Sequence, residues 1–321
     1  MKDPVTLCAF DVDAAGRAVA VEGPLAAAAP EGCYRWLHFD VAAAGLEPWL
    51  RAHLPEAAVD ALLQAETRPR CDAHGAGAII NLRGVNLNPG ASPEDMVSLR
   101  IWMAEGLVVT ARLRKIWALD AIRAQAEAEG QAPESPGALL AAIAEGLTRR
   151  IEAVALELEE QTDALEETVL GEAREVPLAQ LSGVRHTVIK LRRFVNPQRE
   201  ALEALAAGEA PGMDARALSD LRESANRSAR NVEALDATRE RLMALQDHME
   251  VQRGQRLGQN SYVLSVVAAI FLPLGFLTGL FGVNVAGMPG VDHAGAFWML
   301  CAGSLALGVL LYLVFKLGRW L

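Results

Sequence analysis

The sequence predicts an α+β fold made of a mixed α/β domain at residues 1–130, a helical stalk at residues 138–260 and two C-terminal transmembrane helices. The strongest observation is a pair of apolar runs, Ser261 to Phe281 and Ala296 to Phe315, that contain no Asp, Glu, Lys, Arg or His. Each run of about 20 residues is long enough to cross a ~30 Å hydrocarbon core as a helix. Before them, short β-type runs give way to a long region of helical spacing.

Residues 1–130 are predicted to combine strands with one helix. Leu46 to Ala65 carries leucines at helical spacing and predicts a helix. Glu105-Gly106 separates two apolar runs, as expected for the tight turn of a β-hairpin. The predicted strands are Val5–Phe10, Tyr34–Asp40, Ala78–Leu82, Leu99–Met103 and Leu107–Ala111.

The first part of the stalk, Ala138 to Leu205, is helical in pattern and highly charged. An acidic run from Glu157 to Glu167 precedes a basic stretch from Arg185 to Arg199, and we expect ion pairs between the two. Proline weakens a helix interior, because it lacks the backbone N–H and clashes with the preceding turn, so Gly171 to Pro177 is predicted to be a turn.

The second part of the stalk is predicted to be one helix over Met213 to Phe281, because Pro273 is the only proline there. Such a helix would be roughly 100 Å long at 1.5 Å per residue. Two seven-residue rows predict a coiled-coil seam between subunits, and the polar end of the second row suggests that the seam opens into a water-filled vestibule. A helix that packs on others of its own chain explains the pattern equally well. The rows are Leu221, Ser228, Leu235, Leu242 and Met249, and Leu218, Ala225, Val232, Arg239, Gln246, Arg253 and Asn260.

Composition excludes several classes of function. The formal net charge of −10 argues against a nucleic-acid partner, because such partners require a basic face. The four cysteines include no C-x-x-C pair, which favours reduced thiols over a disulfide framework or a zinc knuckle. The sequence has no P-loop, Rossmann glycine run or nucleophile elbow, so we expect neither an enzyme nor a bound cofactor.

Basic residues next to the apolar runs predict how the chain is oriented in the bilayer. Arg253 and Arg256 precede the first run, Lys316 and Arg319 follow the second, and residues 282–295 between the runs contain no Lys or Arg. The positive-inside rule therefore predicts a multi-pass membrane protein with both termini in the cytoplasm and an external loop at 282–295. The start of the chain lacks the apolar segment of a signal peptide.

The most specific motif is Gly282-Val283-Asn284, which closes the first apolar run and is followed by Met288-Pro289-Gly290. A triplet of this type in a C-terminal hairpin resembles the CorA superfamily of divalent-cation transporters, and its ZntB-type zinc branch in particular. Further segments that are similar to this branch are Glu66–Arg70, Arg112–Lys115 with Ala118–Asp120, Phe271–Pro273 and Arg319–Leu321.

The resemblance implies Zn²⁺ transport through the central pore of a homo-oligomer, a pentamer, in the cell inner membrane. It also implies that the first span lines the pore and that residues 282–284 form the selectivity motif. A face of small residues also suits close packing of one helix on another, and the sequence does not separate these alternatives. Relatives often have a hydroxyl residue where Gly275 stands, and Thr278 offers a hydroxyl nearby. The expected pore-lining residues are Ser261, Leu264, Ala268, Leu272, Gly275, Thr278 and Gly279.

Asn284 is the expected metal-facing residue. A ring of its amide oxygens at the negative end of a helix dipole suits a hydrated divalent ion and binds it weakly enough for release. An asparagine in a helix-terminal turn is also a common capping residue. Zinc itself follows only from the resemblance, since Zn²⁺ prefers Cys and His and the expected pore face has neither.

Three other groups of polar residues are weaker candidates. Asp292 and His293 in the loop are a possible external encounter site for a metal, although such pairs are usually plain loop residues. Cys71, Asp72 and His74 are too few for a metal site without further ligands. Asp11 and Asp13 are expected in a turn at a strand end.

Two alternative functions remain open at this point. One is a Mg²⁺, Co²⁺ or Ni²⁺ channel of the magnesium branch of the same superfamily. The other, from a different class, is a membrane-anchored scaffold that moves no ion. The scaffold explains the seven-residue rows but gives no reason for Gly282-Val283-Asn284.

Overall fold

The computed structural model describes residues 3–171, 178–283, 288, 290 and 293–318. These residues form two compact units, Met1–Gln246 and Asp247–Leu321. The fold class predicted from the sequence is confirmed, since a sheet domain precedes long helices and two apolar C-terminal helices. The helices are α1 Leu46–His53, α2 Glu56–Leu63, α3 Trp117–Glu129, α4 Pro136–Leu170, α5 Leu178–Ala206, α6 Ala215–Gly282 and α7 Ala296–Leu317.

A seven-stranded sheet with the order β2-β1-β3-β7-β6-β5-β4 organises the first unit. Only β3 and β7 pair in parallel, whereas the other neighbours are antiparallel. The hairpin between β6 and β7 turns at Glu105-Gly106, as predicted, and Gly106 has the positive φ of 70° that such a turn needs. The strands are β1 Cys8–Asp13, β2 Ala18–Ala20, β3 Cys33–Asp40, β4 Arg70–His74, β5 Gly77–Gly84, β6 Val97–Ala104 and β7 Leu107–Arg112.

Helices cover both faces of the sheet, which explains why β5 is buried along its whole length. Ile79 and Trp102 face a core that includes Trp49 of α1 and Leu62 of α2. The other face packs against residues of α3, α4, α5 and α6 in a second core. A Cβ on Gly77 would lie 2.4 Å from the Trp102 ring, so glycine is required at the start of β5.

The starts of α4 and α6 are capped together. Ser135 Oγ accepts a hydrogen bond from the Ala138 backbone N–H at 3.1 Å and donates to Asp214 Oδ2 at 3.1 Å. Asp214 Oδ1 in turn accepts from the Ala217 backbone N–H at 2.7 Å. Side-chain acceptors at these positions satisfy backbone donors that a helix start leaves unpaired.

The first seven-residue row of α6 is buried within a single chain. Leu221, Ser228, Leu235 and Leu242 are at most 1% exposed. This burial supports packing of the stalk on helices of its own chain, the second of the two readings of the row. The second row is buried at Ala225 and Val232 and becomes exposed at Arg253 and Asn260.

The ion pairs of the stalk have partners other than those expected. Arg192 of α5 pairs with Asp236 of α6, with Nη2 and Oδ2 3.0 Å apart. Arg241 of α6 pairs with Asp163 and Glu166 of α4. The acidic run of α4 therefore meets a basic residue of α6, and α5 meets an acidic residue of α6. Most of the predicted turn at 171–177 lies outside the described residues.

Several elements differ from the prediction. The helix expected over Leu46–Ala65 is two helices, because Pro55 follows a residue in extended conformation, Leu54 (φ −121°, ψ 158°), at the end of α1. The first strand begins at Cys8 instead of Val5. The sequence did not predict β2, β4 or α3.

Candidate functional site

The second unit contains the two apolar helical segments, the end of α6 and α7. Both segments are long and apolar enough to cross a membrane. Within the most apolar part of each segment, no residue is buried by the chain. Apolar helices that their own chain does not bury require a lipid or protein environment that a single chain does not supply.

The two helices meet along one side of α6. Ile270, Leu274 and Thr278 of α6 line an apolar groove with residues of α7. A Cβ on Gly308 would lie 3.9 Å from Leu274 Cδ1, so a small residue of α7 faces α6 here. The lining residues of α7 are Ser304, Leu305, Gly308, Val309 and Tyr312.

The glycines of the expected pore face lie on another side of α6. At about 100° per residue, Gly275, Gly279 and Gly282 are displaced by about 80–140° around the helix axis from Leu274. A Cβ on any of the three would meet no atom within 4 Å among the described residues. The glycines therefore serve no close packing within the described chain. The other expected pore residues, Ser261, Leu264, Ala268 and Leu272, are also exposed.

Thr278 lies closer to the α7 side than the glycines do. It lines the groove with α7, and its Oγ1 donates to the carbonyl oxygens of Leu274 (3.0 Å) and Gly275 (3.1 Å). A hydroxyl bonded to its own helix is compatible with an apolar setting, because its donor is satisfied locally.

The expected selectivity motif begins where α6 ends. Gly282 is the last residue of α6, and the exposed Val283 follows it. Asn284 lies outside the described residues, and so does Asp292. His293 is exposed, and its Nδ1 accepts from the Gly295 backbone N–H at 3.4 Å, immediately before α7.

The polar residues of the first unit that the sequence singled out do not come together as a metal site in the part of the chain that the structure describes. Asp13 accepts from the backbone of Ala15 and Arg17 in a turn, as predicted, whereas Asp11 lies within β1 and binds Arg35 at 2.7 Å. Cys71 packs against the core, and burial raises the pKa of its thiol to about 12. Its neighbours Asp72 and His74 point to the opposite face of β4. Among the described residues, no group of three or more His, Cys, Asp or Glu side chains is arranged to hold a metal.

The architecture is that of an integral membrane protein in which a large unit of sheet and helices precedes two apolar helices. Residues 31–317 match the family described as "CorA-like Mg2+ transporter protein". The chain belongs to this CorA family of transporters, and it is a transporter and not an enzyme.

Individual relatives agree with this assignment. The chain is 37% identical to the divalent cation transporter CmaX of Pseudomonas aeruginosa over 89% of this chain and 87% of the relative. It is 32% identical to the zinc transport protein ZntB of Yersinia pseudotuberculosis over 98% and 93% of the two chains. The structure of full-length CmaX matches with a TM-score of 0.85 and 34% identity, covering 98% of each chain. The resemblance to the CorA superfamily and its ZntB-type branch, predicted from the motif, is confirmed.

Proposed function

We propose that this protein transports divalent cations, with Zn²⁺ as the principal substrate, through a central pore in a homo-pentamer. Two spans in one chain are too few to enclose a path, so several copies must surround it. The observation that carries the proposal is the exposed glycine face of α6, at which an added Cβ would meet no atom of the described residues within 4 Å. In the proposed assembly this face of each α6 surrounds the ion path.

The pore chemistry follows from the residues of the span. Ser261 to Phe281 has no charged side chain, so a cation passes without a fixed counter-ion to trap it. At the end of α6, the Asn284 amide oxygens and the negative end of the helix dipole attract the hydrated ion. Gly282 allows the chains to approach each other closely at this point.

The proposed orientation places both termini in the cytoplasm and the protein in the cell inner membrane. Arg253 and Arg256 before the first span and Lys316 after the second support it, because basic residues are retained on the cytoplasmic side. The Lys316 ammonium also lies 6.0 Å from the centre of the Tyr312 ring, and both residue types are common at a membrane interface.

Substrate preference is tested by metal uptake into proteoliposomes, with Zn²⁺, Co²⁺, Ni²⁺ and Mg²⁺ compared at equal free concentrations. We expect Zn²⁺ to enter fastest, in keeping with the ZntB relatives. A strong preference for Mg²⁺, the ion that the family description names, would refute the zinc assignment and favour the alternative Mg²⁺, Co²⁺ or Ni²⁺ channel. Uptake of none of the four metals would refute the transport proposal and favour the scaffold.

A further inference from the structure

A basic pocket lies in the first unit, at the ends of β5 and β6 and against α5. It has a volume of about 450 Å³. Two segments singled out in the sequence contribute to it, since Glu66 and Arg114 both line the pocket. Lys190, Arg193 and Phe194 line it from α5.

Two of its arginines are buried and retain unused donors. Arg100 is 1% exposed, and its Nε and Nη2 donate to the Gln64 carbonyl oxygen at the end of α2. Arg83 is 7% exposed, and it donates to the carbonyl oxygens of Met96 (3.1 Å) and Thr67 (2.8 Å). Among the described residues, Arg100 Nη1 and Arg83 Nε have no hydrogen-bond partner. These two nitrogens have almost no solvent-accessible surface, so the guanidinium groups that a ligand in the pocket would reach first are those of the exposed Arg114 and Arg193.

The balance of charge in the pocket favours an anion. Its lining has five cationic side chains and three carboxylates, Glu66, Glu94 and Asp95, which leaves a formal surplus of two positive charges. The Glu66 side chain is 97% exposed and comes no closer than 4.0 Å to Arg83, so it neutralises that arginine weakly. Asp95 pairs with Lys190 at 3.2 Å. A surplus of this sign is notable in a chain whose net charge is −10.

A helix-capping role explains only part of this arrangement. The guanidinium of Arg100 binds carbonyl oxygens at the end of α2, which is a common use of arginine. Capping does not account for Arg114 and Arg193, which are exposed at the same pocket. Burial lowers the pKa of Arg83, the Glu66 carboxylate opposes this shift, and the positive charges of Arg100 and Arg193 add to it. An anion in the pocket would relieve the repulsion that remains among the arginines.

We propose that this pocket binds a phosphate group of a soluble ligand. A phosphate carries a charge of about −1.5 to −2 at pH 7, which matches the surplus, and its oxygens accept from several guanidinium donors at once. The proposal does not depend on which metal is transported. The shared chemistry is the phosphate group, whether it belongs to inorganic phosphate or to a nucleotide.

The test is calorimetric titration of the full-length protein in detergent with inorganic phosphate, pyrophosphate or ATP, in the presence of a chelator and at constant ionic strength. The pocket variant is Arg114→Gln with Arg193→Gln, which removes two exposed charges. The control, Arg17→Gln with Arg51→Gln, removes two other exposed arginines of the same unit that do not line the pocket. Arg193→Gln alone replaces the double variant if that protein is unstable.

We expect saturable binding to the wild type and the control, and affinity weakened about tenfold or more in the pocket variant, as for loss of charge-assisted bonds. Tighter binding of inorganic phosphate than of ATP would identify free phosphate as the ligand, and the reverse would identify a nucleotide; both support the pocket. Failure of all three ligands to bind would overturn the proposal. Equal affinity for phosphate ligands in the pocket variant and the control would also overturn it, and so would binding of chloride as strong as that of phosphate. Each result would indicate general charge screening.

Discussion

Gly279 of α6 and Gly308 of α7 have different surroundings. Gly279 has open space around it, whereas Gly308 faces Leu274 across the groove between the helices. Of these two glycines, Gly279 is the one available to line a path between copies of the chain.

We therefore expect Gly279→Leu to reduce metal flux by at least about tenfold, because a leucine from each subunit would narrow and dehydrate the proposed pore. Leucine is a better helix former than glycine by up to about 1 kcal/mol, so helix stability should not fall. The measurement is Zn²⁺ uptake into proteoliposomes. Gly303→Leu on α7 is the control, since Gly303 is exposed and a Cβ there also meets no atom. Normal flux in Gly279→Leu would exclude this face from the pore.

Asn284 is the residue on which the selectivity proposal depends. We predict that Asn284→Leu abolishes or greatly reduces Zn²⁺ transport and leaves the oligomer assembled, because it removes the proposed ring of amide oxygens. Uptake and size-exclusion profiles are compared with those of Met288→Leu in the same loop. Near-normal Zn²⁺ flux in an assembled Asn284→Leu protein would remove Asn284 from the selectivity site.

A buried histidine in the first unit is held neutral by its neighbours. His38 is 1% exposed, its Nδ1 lies 2.9 Å from Thr110 Oγ1, and its Nε2 accepts from Arg112 Nε at 3.2 Å. Protonation of Nε2 would break the Arg112 contact and place two cations together. Burial first, and the charges of Arg112 and Arg123 next, lower the pKa of His38 to about 3.

This shift predicts a loss of stability in mild acid. The unfolded chain takes up a proton at this histidine near its ordinary pKa of about 6.5, whereas the folded chain does so only near 3. Stability is therefore complete above 6.5 and falls as the pH drops from 6.5 toward 3, by on the order of a few kcal/mol. We expect His38→Gln to flatten this part of a plot of melting temperature against pH. The matched control is His53→Gln, at an exposed position of α1. An unchanged slope in His38→Gln would contradict the assignment.

At the level of elements, α6 has two kinds of surface. Adjacent residues differ sharply, since Leu242 is fully buried and Met243 is 38% exposed. A row that is buried within one chain stabilises that chain directly, whereas a seam between subunits would stabilise only the assembly.

We expect Leu242→Ala to destabilise the first unit by about 2–5 kcal/mol, because it leaves a cavity, and Met243→Ala to cost much less. Thermal unfolding of the full-length protein in detergent, at two protein concentrations, measures both. The shift for Leu242→Ala should not depend on concentration. Dissociation of the oligomer with an unchanged melting temperature would instead assign this row to a subunit interface.

The same elements show which parts of the fold a sequence can predict. The apolar spans and the strands β3, β5, β6 and β7 follow from long apolar patterns. By contrast, β4 reads Arg-Cys-Asp-Ala-His and is mostly exposed at the sheet edge, so it lacks the alternation that marks a half-buried strand. Pro55 does indicate the break between α1 and α2, because the residue before a proline disfavours the helical conformation. Since Pro55 lies between Leu46 and Ala65, it divides the predicted helix in two.

The basic pocket could not be predicted in this way. Arg83 and Arg100 approach each other through the pairing of β5 with β6, and Arg193 arrives from α5 almost a hundred residues later. No short stretch of the sequence predicts that these three arginines lie close together. The glycine face of α6 was predicted, since it depends only on helical periodicity, but its lack of contact with α7 required the structure.

For the whole molecule, the remaining question is the driving force of transport. Ser261 to Phe281 has no titratable carboxylate, histidine or basic side chain, so an intramembrane proton relay cannot be built along this span. Protons that influence flux must act elsewhere, and Asp292, His293 and metal-bound water are the candidates. His293 is exposed just before α7, and histidine is the side chain that ordinarily titrates between pH 5 and 8.

We therefore predict that flux follows the electrochemical gradient of the metal and that any pH dependence weakens in His293→Ala. Zn²⁺ uptake is measured with and without an imposed pH gradient, in the wild type and in the double variant Asp292→Asn with His293→Ala. A pH gradient alone, with equal Zn²⁺ on both sides, should drive no net uptake. Net uptake under that condition would contradict passive transport. A strong proton dependence that persists in the double variant would show that neither loop residue is responsible and would leave metal-bound water as the titrating group.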